Sequence, residues 1–543
     1  MDFKQERTND VDTIIKSTHP KKVVVAGPGT GKSYLFEQII KEKKLNGKKE
    51  FLAITFIGKL GDELADDLAG LASTMTLHGF ARKFLLDNCP DGWKYYPDIT
   101  KLITEDLKIK GITSFEIGDK NYEERTKYYK TVGHDDVVYY AIQICKKDNS
   151  KIPKYDLILV DEFQDFNEIE SEFIDILSTK NEILIVGDDD QALYEFKGSS
   201  PKFIRGKYNS TNTDFESHTL RFCSRCTEVI IEAFHDVVKH FKTENKMSDR
   251  IDKEYICYSP DKDNDNSLNS NILVAKGVVT GQIPLMIKHE LNEILKEQKI
   301  KSALVIGEAR TCKSLLRSIS RKLRELGFKN VNYSEDYMKT YSFKPNVVEG
   351  YKLLSEGKNI LLAWRLLLEE IDNIDQRNKI ISENYDNPVG LVDALPKNFK
   401  DKQEKDAKTL NSILSKPKSG RSQIANSSIE ELFSAIVSSE KEKREIFIEQ
   451  LIDENNIIPR PLGNIDINVC SILGSKGLGA DVVFLIGFDQ GKLPLKNIVQ
   501  ESEIYQLLVA LTRAKKRIYF INTLDNEISK FIECIEKDRY KII

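Results

Sequence analysis

Three glycines and a lysine near residue 30 are spaced for one kind of chemistry. The stretch Ala26-Gly27-Pro28-Gly29-Thr30-Gly31-Lys32-Ser33-Tyr34 follows an apolar, β-branched run, Val23-Val24-Val25. Glycines at this spacing let the backbone fold tightly and turn its N–H groups toward a phosphate chain. Lys32 then reaches the β- and γ-phosphates, and the Ser33 hydroxyl holds Mg²⁺. Residues 33–44 read as a helix whose positive end faces the same anion. A glycine-rich turn without ligand is the plain alternative, and the strand before and helix after favour the nucleotide.

A second pair of residues suits phosphoryl transfer. Asp161-Glu162 ends the largely apolar run Tyr155-Asp156-Leu157-Ile158-Leu159-Val160. One carboxylate there, Asp161, holds the metal ion. Its neighbour Glu162 accepts a proton from the attacking water. Two surface acids at a strand end would have the same spacing, but the apolar run before them argues for a buried edge.

The elements that must position these groups follow a pattern. Residues 51–56, 155–160 and 182–186 read as short buried strands that end in acidic or glycine-bearing loops, with helices between them. Such a series builds a parallel sheet that binds ligand at its carboxyl edge. A second series starts near residue 271 and resumes at 468–472, 482–486 and 518–521. Residues 87–154 and 346–460 interrupt the two series and read as mainly helical. The polar segment at 261–270 reads as a flexible linker.

The chain has 543 residues, 40% hydrophobic and 31% charged, with a formal net charge of -4. This length allows about three or four domains. With no global basic field, DNA binding has to come from local patches. One basic stretch, residues 397–421, carries eight Lys/Arg against three acids. It reads as a solvated loop or as a DNA- or partner-contacting arm. Eight cysteines include one Cys-x-x-Cys, Cys223 and Cys226, without a second close pair, which argues against zinc and for reduced thiols in a cytoplasm. No apolar run approaches a membrane span, and residues 1–10 carry no secretory signal.

Several stretches together resemble superfamily 1 helicases of the UvrD/PcrA/Rep type. AGPGTGKS (residues 26–33) is similar to their phosphate loop. DEFQD (161–165) resembles their DExQD box, and VGDDDQALYEFKGS (186–199) resembles the motif that follows it. AITFIGKLGDEL (53–64) and TLHGFARKFL (76–85) resemble their single-strand contact motifs. LRFCSRC (220–226), SILGSKGLGADVVFLIGFDQGKLP (471–494) and LLVALTRAKKRIYF (507–520) look like the remaining motifs, in the same order. The two interruptions are not matched.

The resemblance implies an α/β protein with two RecA-like core domains, each interrupted by a short helical insertion. The first core domain spans 1–86 and 155–225 around an insertion at 87–154. The second spans 226–345 and 461–543 around 346–460. ATP with Mg²⁺ sits between them. Gln191 senses the γ-phosphate, and Arg225 and Arg513 are cationic clamps on the transferred group. The resemblance also implies DNA contacts from Thr55, Phe56, His78, Tyr194, Phe196 and Lys476, with Phe56 and Phe196 stacking on bases. From the residues alone, those two aromatics read equally as core, Arg225 and Arg513 as surface arginines, and His78 as structural. Ser224 stands where the family has an adenine-stacking Tyr, and Tyr34 offers a substitute. Gly479 replaces a nucleotide-contacting Glu, and Gly58 a DNA-contacting Asn.

The function implied is a 3′-to-5′ helicase or single-strand translocase. The compact length also resembles the helicase component of Gabija-type anti-phage systems, which work with an OLD-family nuclease. A DNA- or nucleotide-sensing ATPase switch that regulates a partner with little unwinding is the rival reading.

Overall fold

β-branched side chains fit a pleated, buried surface, and Val23, Val24 and Val25 lie fully buried in strand β1 (Lys21–Ala26). The computed structural model describes residues 3–56, 58–89, 93–209, 215–258, 260, 262–333, 345–414 and 465–543. Around β1 stand β2 (Phe51–Thr55), β3 (Ser73–Thr76), β4 (Leu157–Val160), β5 (Ile183–Gly187) and β6 (Glu216–Leu220), in the order β3-β2-β4-β5-β1-β6. Every pairing is parallel. Val25 lies opposite Gly187 on one side and Thr219 on the other. The loops that leave β1, β4 and β5 therefore emerge along one carboxyl edge, where open parallel sheets bind ligands.

The second sheet contains β7 (Ile272–Val278), β8 (Ser302–Gly307), β9 (Val331–Tyr333), β10 (Asp466–Ser471), β11 (Ala480–Ile486), β12 (Ala514–Thr523) and β13 (Tyr540–Ile542). Its order is β9-β10-β8-β11-β12-β7-β13, again all parallel. Alternate residues divide between its faces, as a period of two requires. Val305, Phe484 and Tyr519 pack with Ile287 and Leu316 on one face. Leu304, Leu485 and Phe520 face a different cluster, which also takes in Tyr194, Cys223 and Tyr255 from beyond the edge of the first sheet. One apolar core thus joins the two sheets.

The chain forms two compact units. The first comprises Met1–Phe80, Ser150–Met338 and Arg460–Ile543 and holds both sheets. The second comprises Ala81–Asn149 and Lys339–Pro459. Two stretches distant in sequence thus build one body, whose described residues are mainly helical. Its core includes Tyr351, Trp364 and Leu367. At its centre Asp106 is fully buried between two arginines. Arg125 Nη2 lies 2.5 Å from its carboxylate and Arg365 Nε 2.9 Å.

Of the polar segment 261–270 expected to be a flexible linker, residue 261 lies outside the described residues and the rest contains regular structure. Residues Asp263–Leu268 form a short helix, because their polar groups find tertiary partners. Asn266 Oδ1 accepts a hydrogen bond from the N–H of Glu228 at the start of the helix Glu228–Thr243, at 2.9 Å. Asp265 pairs with Lys516 at 3.3 Å. The basic stretch begins as the helix Lys397–Leu414, and its remainder lies outside the described residues. Among the described residues, no helix is long and apolar enough to cross a membrane.

Burial pushes the Asp106 carboxyl up, but the Arg365 and Arg125 guanidiniums outweigh it and hold it below the usual range. A lowered folded-state pKa means stability that is present above the unfolded value and lost as pH falls. Asp106→Ala leaves Arg125 without its carboxylate and Arg365 with Glu105 at 3.4 Å, at a cost of about 3–5 kcal/mol. Thermal unfolding followed by circular dichroism should show a clearly lower midpoint, and an unchanged midpoint refutes the assignment.

Candidate active site

Between β1 and the helix Lys32–Leu45 the chain needs backbone that side chains resist. Gly29 and Gly31 have φ of +71° and +95°, in the left-handed region that glycine adopts without cost. Thr30 Oγ1 donates to the Gly27 carbonyl at 2.8 Å and closes the loop on itself. The turn at 222–226 lies against it. The Ser224 N–H and hydroxyl both donate to the Gly29 carbonyl, at 3.0 and 3.2 Å. Tyr255 donates its hydroxyl to the Pro28 carbonyl at 2.7 Å. Ser224 is therefore a brace for the loop, and it brings the next residue, Arg225, to the cavity the loop encloses.

The loops after β4 and β5 supply acids and amides. Glu162 holds φ +53°, a strained conformation for a residue with a side chain. Its carboxylate lies 3.5 Å from Lys32 Nζ and 3.5 Å from Lys476 Nζ, and accepts from Gln164 Nε2 at 2.5 Å. Burial raises its pKa, but Lys32 and Lys476 outweigh that and hold Glu162 ionised, below the usual carboxylate range. Burial and the charge on Glu162 push Asp161 the other way, with Lys32 opposing. Asp161 Oδ1 is buried without a hydrogen-bond partner. A hard divalent cation would satisfy that oxygen, and the side chain of Ser33 lines the same cavity. The donor set fits Mg²⁺.

The second sheet reaches the site through the segments before β11 and β12. Arg513, just before β12, donates to the Leu478 carbonyl at 3.1 Å and to Gln191 Oε1 at 2.8 Å. Gln191 Nε2 donates in turn to Asp188 Oδ2 at 2.6 Å. Lys476 pairs with Asp165 and donates to the Gln191 carbonyl at 3.0 Å. Burial and the nearby Arg225 pull Arg513 down to about 10. Like charges crowded this way favour an anion between them.

Lys32, Asp161, Glu162, Gln191, Arg225 and Arg513 all line one cavity of about 550 Å³. Six cations (Lys32, Arg225, Lys262, Lys476, Arg513 and Lys515) line it against three carboxylates (Asp67, Asp161 and Glu162). Such a balance suits a polyanion, and the glycine loop makes that anion a phosphate chain. Pro28, Gly29, Gly31, Ser33 and Tyr34 line the cavity too, and the Tyr34 ring is 52% exposed. Ala26, Gly27 and Thr30 stand behind the lining, Ala26 as the last residue of β1.

The residues expected to touch DNA differ in their exposure. Phe56, Tyr194 and Phe196 form an aromatic run with ring centroids 5.0 and 6.0 Å apart. Phe196 ends it at 67% exposure. Thr55, Tyr194 and Lys476 are buried, and Lys476 spends its charge on Glu162 and Asp165 inside the cavity. His78 Nε2 lies 3.6 Å from Glu170 Oε1. Glu170 also accepts from the Asn167 N–H at 2.8 Å, closing a capping box on the helix Glu168–Leu177.

Sequence reasoning missed Tyr255, Gln164, Lys262 and Lys515. Tyr255 and Lys262 sit outside any quoted motif and meet the site only through the fold, and Lys515 lies inside the run 507–520. Gln164 lies inside the acidic box and carried a signal. Its side chain spans from Glu162 to the N–H of Asp188, at 2.9 Å.

Residues 11–197 match the family model of an AAA domain, and residues 218–525 match that of the UvrD-like helicase C-terminal domain. A probable DNA helicase II homolog of Mycoplasma capricolum is 23% identical, with 79% of this chain covered and 65% of that protein. One from Rickettsia conorii is 23% identical, with 97% and 94% covered. The ATP-dependent DNA helicase Rep of Buchnera aphidicola is 22% identical, with 74% and 68% covered.

A Cβ on Gly29 would stand 2.3 Å from Arg225 Cβ. The left-handed backbone alone costs a larger residue about 1–2 kcal/mol. Gly29→Ala should therefore weaken binding of a fluorescent nucleoside triphosphate by about tenfold or more. An unchanged dissociation constant would mean that the loop does not cradle the phosphates.

Proposed function

The chain belongs to the UvrD-like helicase family and is an ATP-dependent enzyme of that class, and we propose that it hydrolyses ATP in this cavity to move 3′ to 5′ along single-stranded DNA. The observation that carries the reading is the Arg513–Gln191 hydrogen bond of 2.8 Å. It joins a sensor on the first sheet to a cation on the second, inside a cavity that also holds Lys32, Glu162 and Arg225.

In this reading Lys32 exchanges Glu162 for the β- and γ-phosphate oxygens when ATP binds. Glu162, released from that pair, takes a proton from the attacking water. Gln191, Arg225 and Arg513 stabilise the charge that spreads over the transferred group. Mg²⁺, held by Ser33 and Asp161, would neutralise charge on the phosphates. Hydrolysis loosens the groups that bridge the two sheets, and Phe56, Tyr194 and Phe196 supply the aromatic grip on DNA.

One observation favours a second reading, a nucleotide- or DNA-sensing ATPase switch with little unwinding. Ser224 is committed to Gly29, so the nucleobase side of the cavity has Tyr34 as its aromatic group. The cytoplasmic, anti-phage setting and an OLD-family nuclease partner belong to the proposal on the sequence resemblance alone, and co-purification with the product of a neighbouring nuclease gene tests them. All eight cysteines are free thiols, in keeping with a reducing compartment.

Phosphate release and strand displacement on a 3′-tailed duplex separate the readings. Lys32→Ala should abolish both activities. Glu162→Gln should keep nucleotide binding and lose turnover by about 10²-fold or more. Phe196→Ala should keep basal turnover and lower displacement. DNA-stimulated hydrolysis without displacement or translocation by the wild type would establish the switch instead.

A further inference from the structure

Asp188, Asp189 and Asp190 follow β5 in sequence, and all three are fully buried. One carboxylate oxygen from each lies within 4.8 Å of the others. Three buried carboxylates this close need cations beside them. The balance comes from residues outside the loop. Lys253 Nζ lies 3.1 Å from Asp188, 2.5 Å from Asp189 and 2.7 Å from Asp190. Its ammonium occupies the position such a triad would otherwise offer a metal ion. Arg250 meets Asp190 with two parallel hydrogen bonds of 2.7 and 2.8 Å. Arg205 Nε donates to Asp189 at 2.9 Å. Three cations thus serve the three buried acids, and Arg205 also reaches the exposed Asp249, with Nη1 at 2.8 Å.

This hub stands directly behind the reacting groups. Asp188 offers one oxygen to Lys253 and the other to Gln191 Nε2. The Gln191 amide is therefore oriented with its nitrogen on Asp188 and its oxygen on Arg513. Reversing the amide would set its oxygen against a carboxylate. The same hub touches the helix Glu501–Thr512, which ends at Arg513. Arg205 Nη2 donates to Tyr505 Oη at 3.2 Å, and the Met247 N–H donates to Glu501 at 2.7 Å. Both partners of the Gln191–Arg513 hydrogen bond are thus referred to one buried charge cluster.

We propose that Lys253 is a positioning residue for phosphoryl transfer, holding Asp188 so that Gln191 presents its amide to the γ-phosphate and to Arg513. This rests on the reading of the cavity as an ATP-hydrolysing site. Lys253 touches no substrate and acts through Asp188.

The test is a double-mutant cycle on the full chain, reading kcat and KM for ATP with saturating single-stranded DNA. Removing one cation from the hub leaves an unbalanced buried acid, so the cycle is run in an Asp189→Asn background, where the loss of Lys253 keeps the charges equal. In that background Lys253→Met should fold with a nearly unchanged thermal midpoint and lose kcat by about 10- to 100-fold with little change in KM. Gln191→Ala should lose kcat to a similar degree. The two together should fall no further than the worse single variant, because both act through one amide. If the losses multiply, or if folded Lys253→Met turns over ATP like its parent, the positioning role is overturned. If Gln191→Ala itself leaves kcat unchanged, the reading of the cavity fails instead.

Discussion

The groups proposed for catalysis meet across a contact between the two sheets. Arg513 precedes β12 of the second sheet, and Gln191 follows β5 of the first. Their hydrogen bond forms only while the two sheets share the apolar core that contains Tyr194, Tyr255 and Leu485. Hydrophobic packing is nondirectional, so the core brings the edges together without fixing the reacting groups. The fixing is polar, through Ser224 and Tyr255 on the glycine loop and through Asp188 on Gln191. Six cations crowd a cavity lined by only three acids, and such contacts hold the like charges in place.

The sequence made the fold legible wherever the signal was local. β-branched runs marked the buried strands, and glycine spacing marked the loop whose φ values of +71° and +95° require it. The six groups named for catalysis line one cavity. Their motifs lie at strand ends, and a parallel sheet collects strand ends along one edge. The segment at 261–270 shows where the signal failed. Its Asn and Asp residues have turn chemistry, and the same side chains become caps and ion-pair partners once Glu228 and Lys516 are near. Lys476 makes contacts that no local pattern carries: it is 5% exposed, because Asp165 and Glu162 lie within its reach.

That placement of Lys476 bears on how two sites share a wall. Its ammonium pairs with Glu162 and Asp165 on the nucleotide side. It also stands 5.7 Å over the ring of Tyr194, which packs between Phe56 and Phe196. The acid proposed to activate water and the aromatic run proposed to hold bases are therefore separated by one side chain. Contiguity alone does not establish coupling. It does define what a coupling has to use. If Lys32 turns to phosphate as proposed, Lys476 is left as the ammonium within 4 Å of Glu162, and a shift of Lys476 then moves a cation over Tyr194. A cation held over an aromatic face is worth about 0.5–1 kcal/mol when exposed and more when desolvated. An energy of that size cannot drive a step along DNA, but it is enough to bias the rotamer of one ring. In the proposed mechanism the larger forces come from the sheets closing on the nucleotide, with Lys476 and Tyr194 biasing which aromatic face is presented.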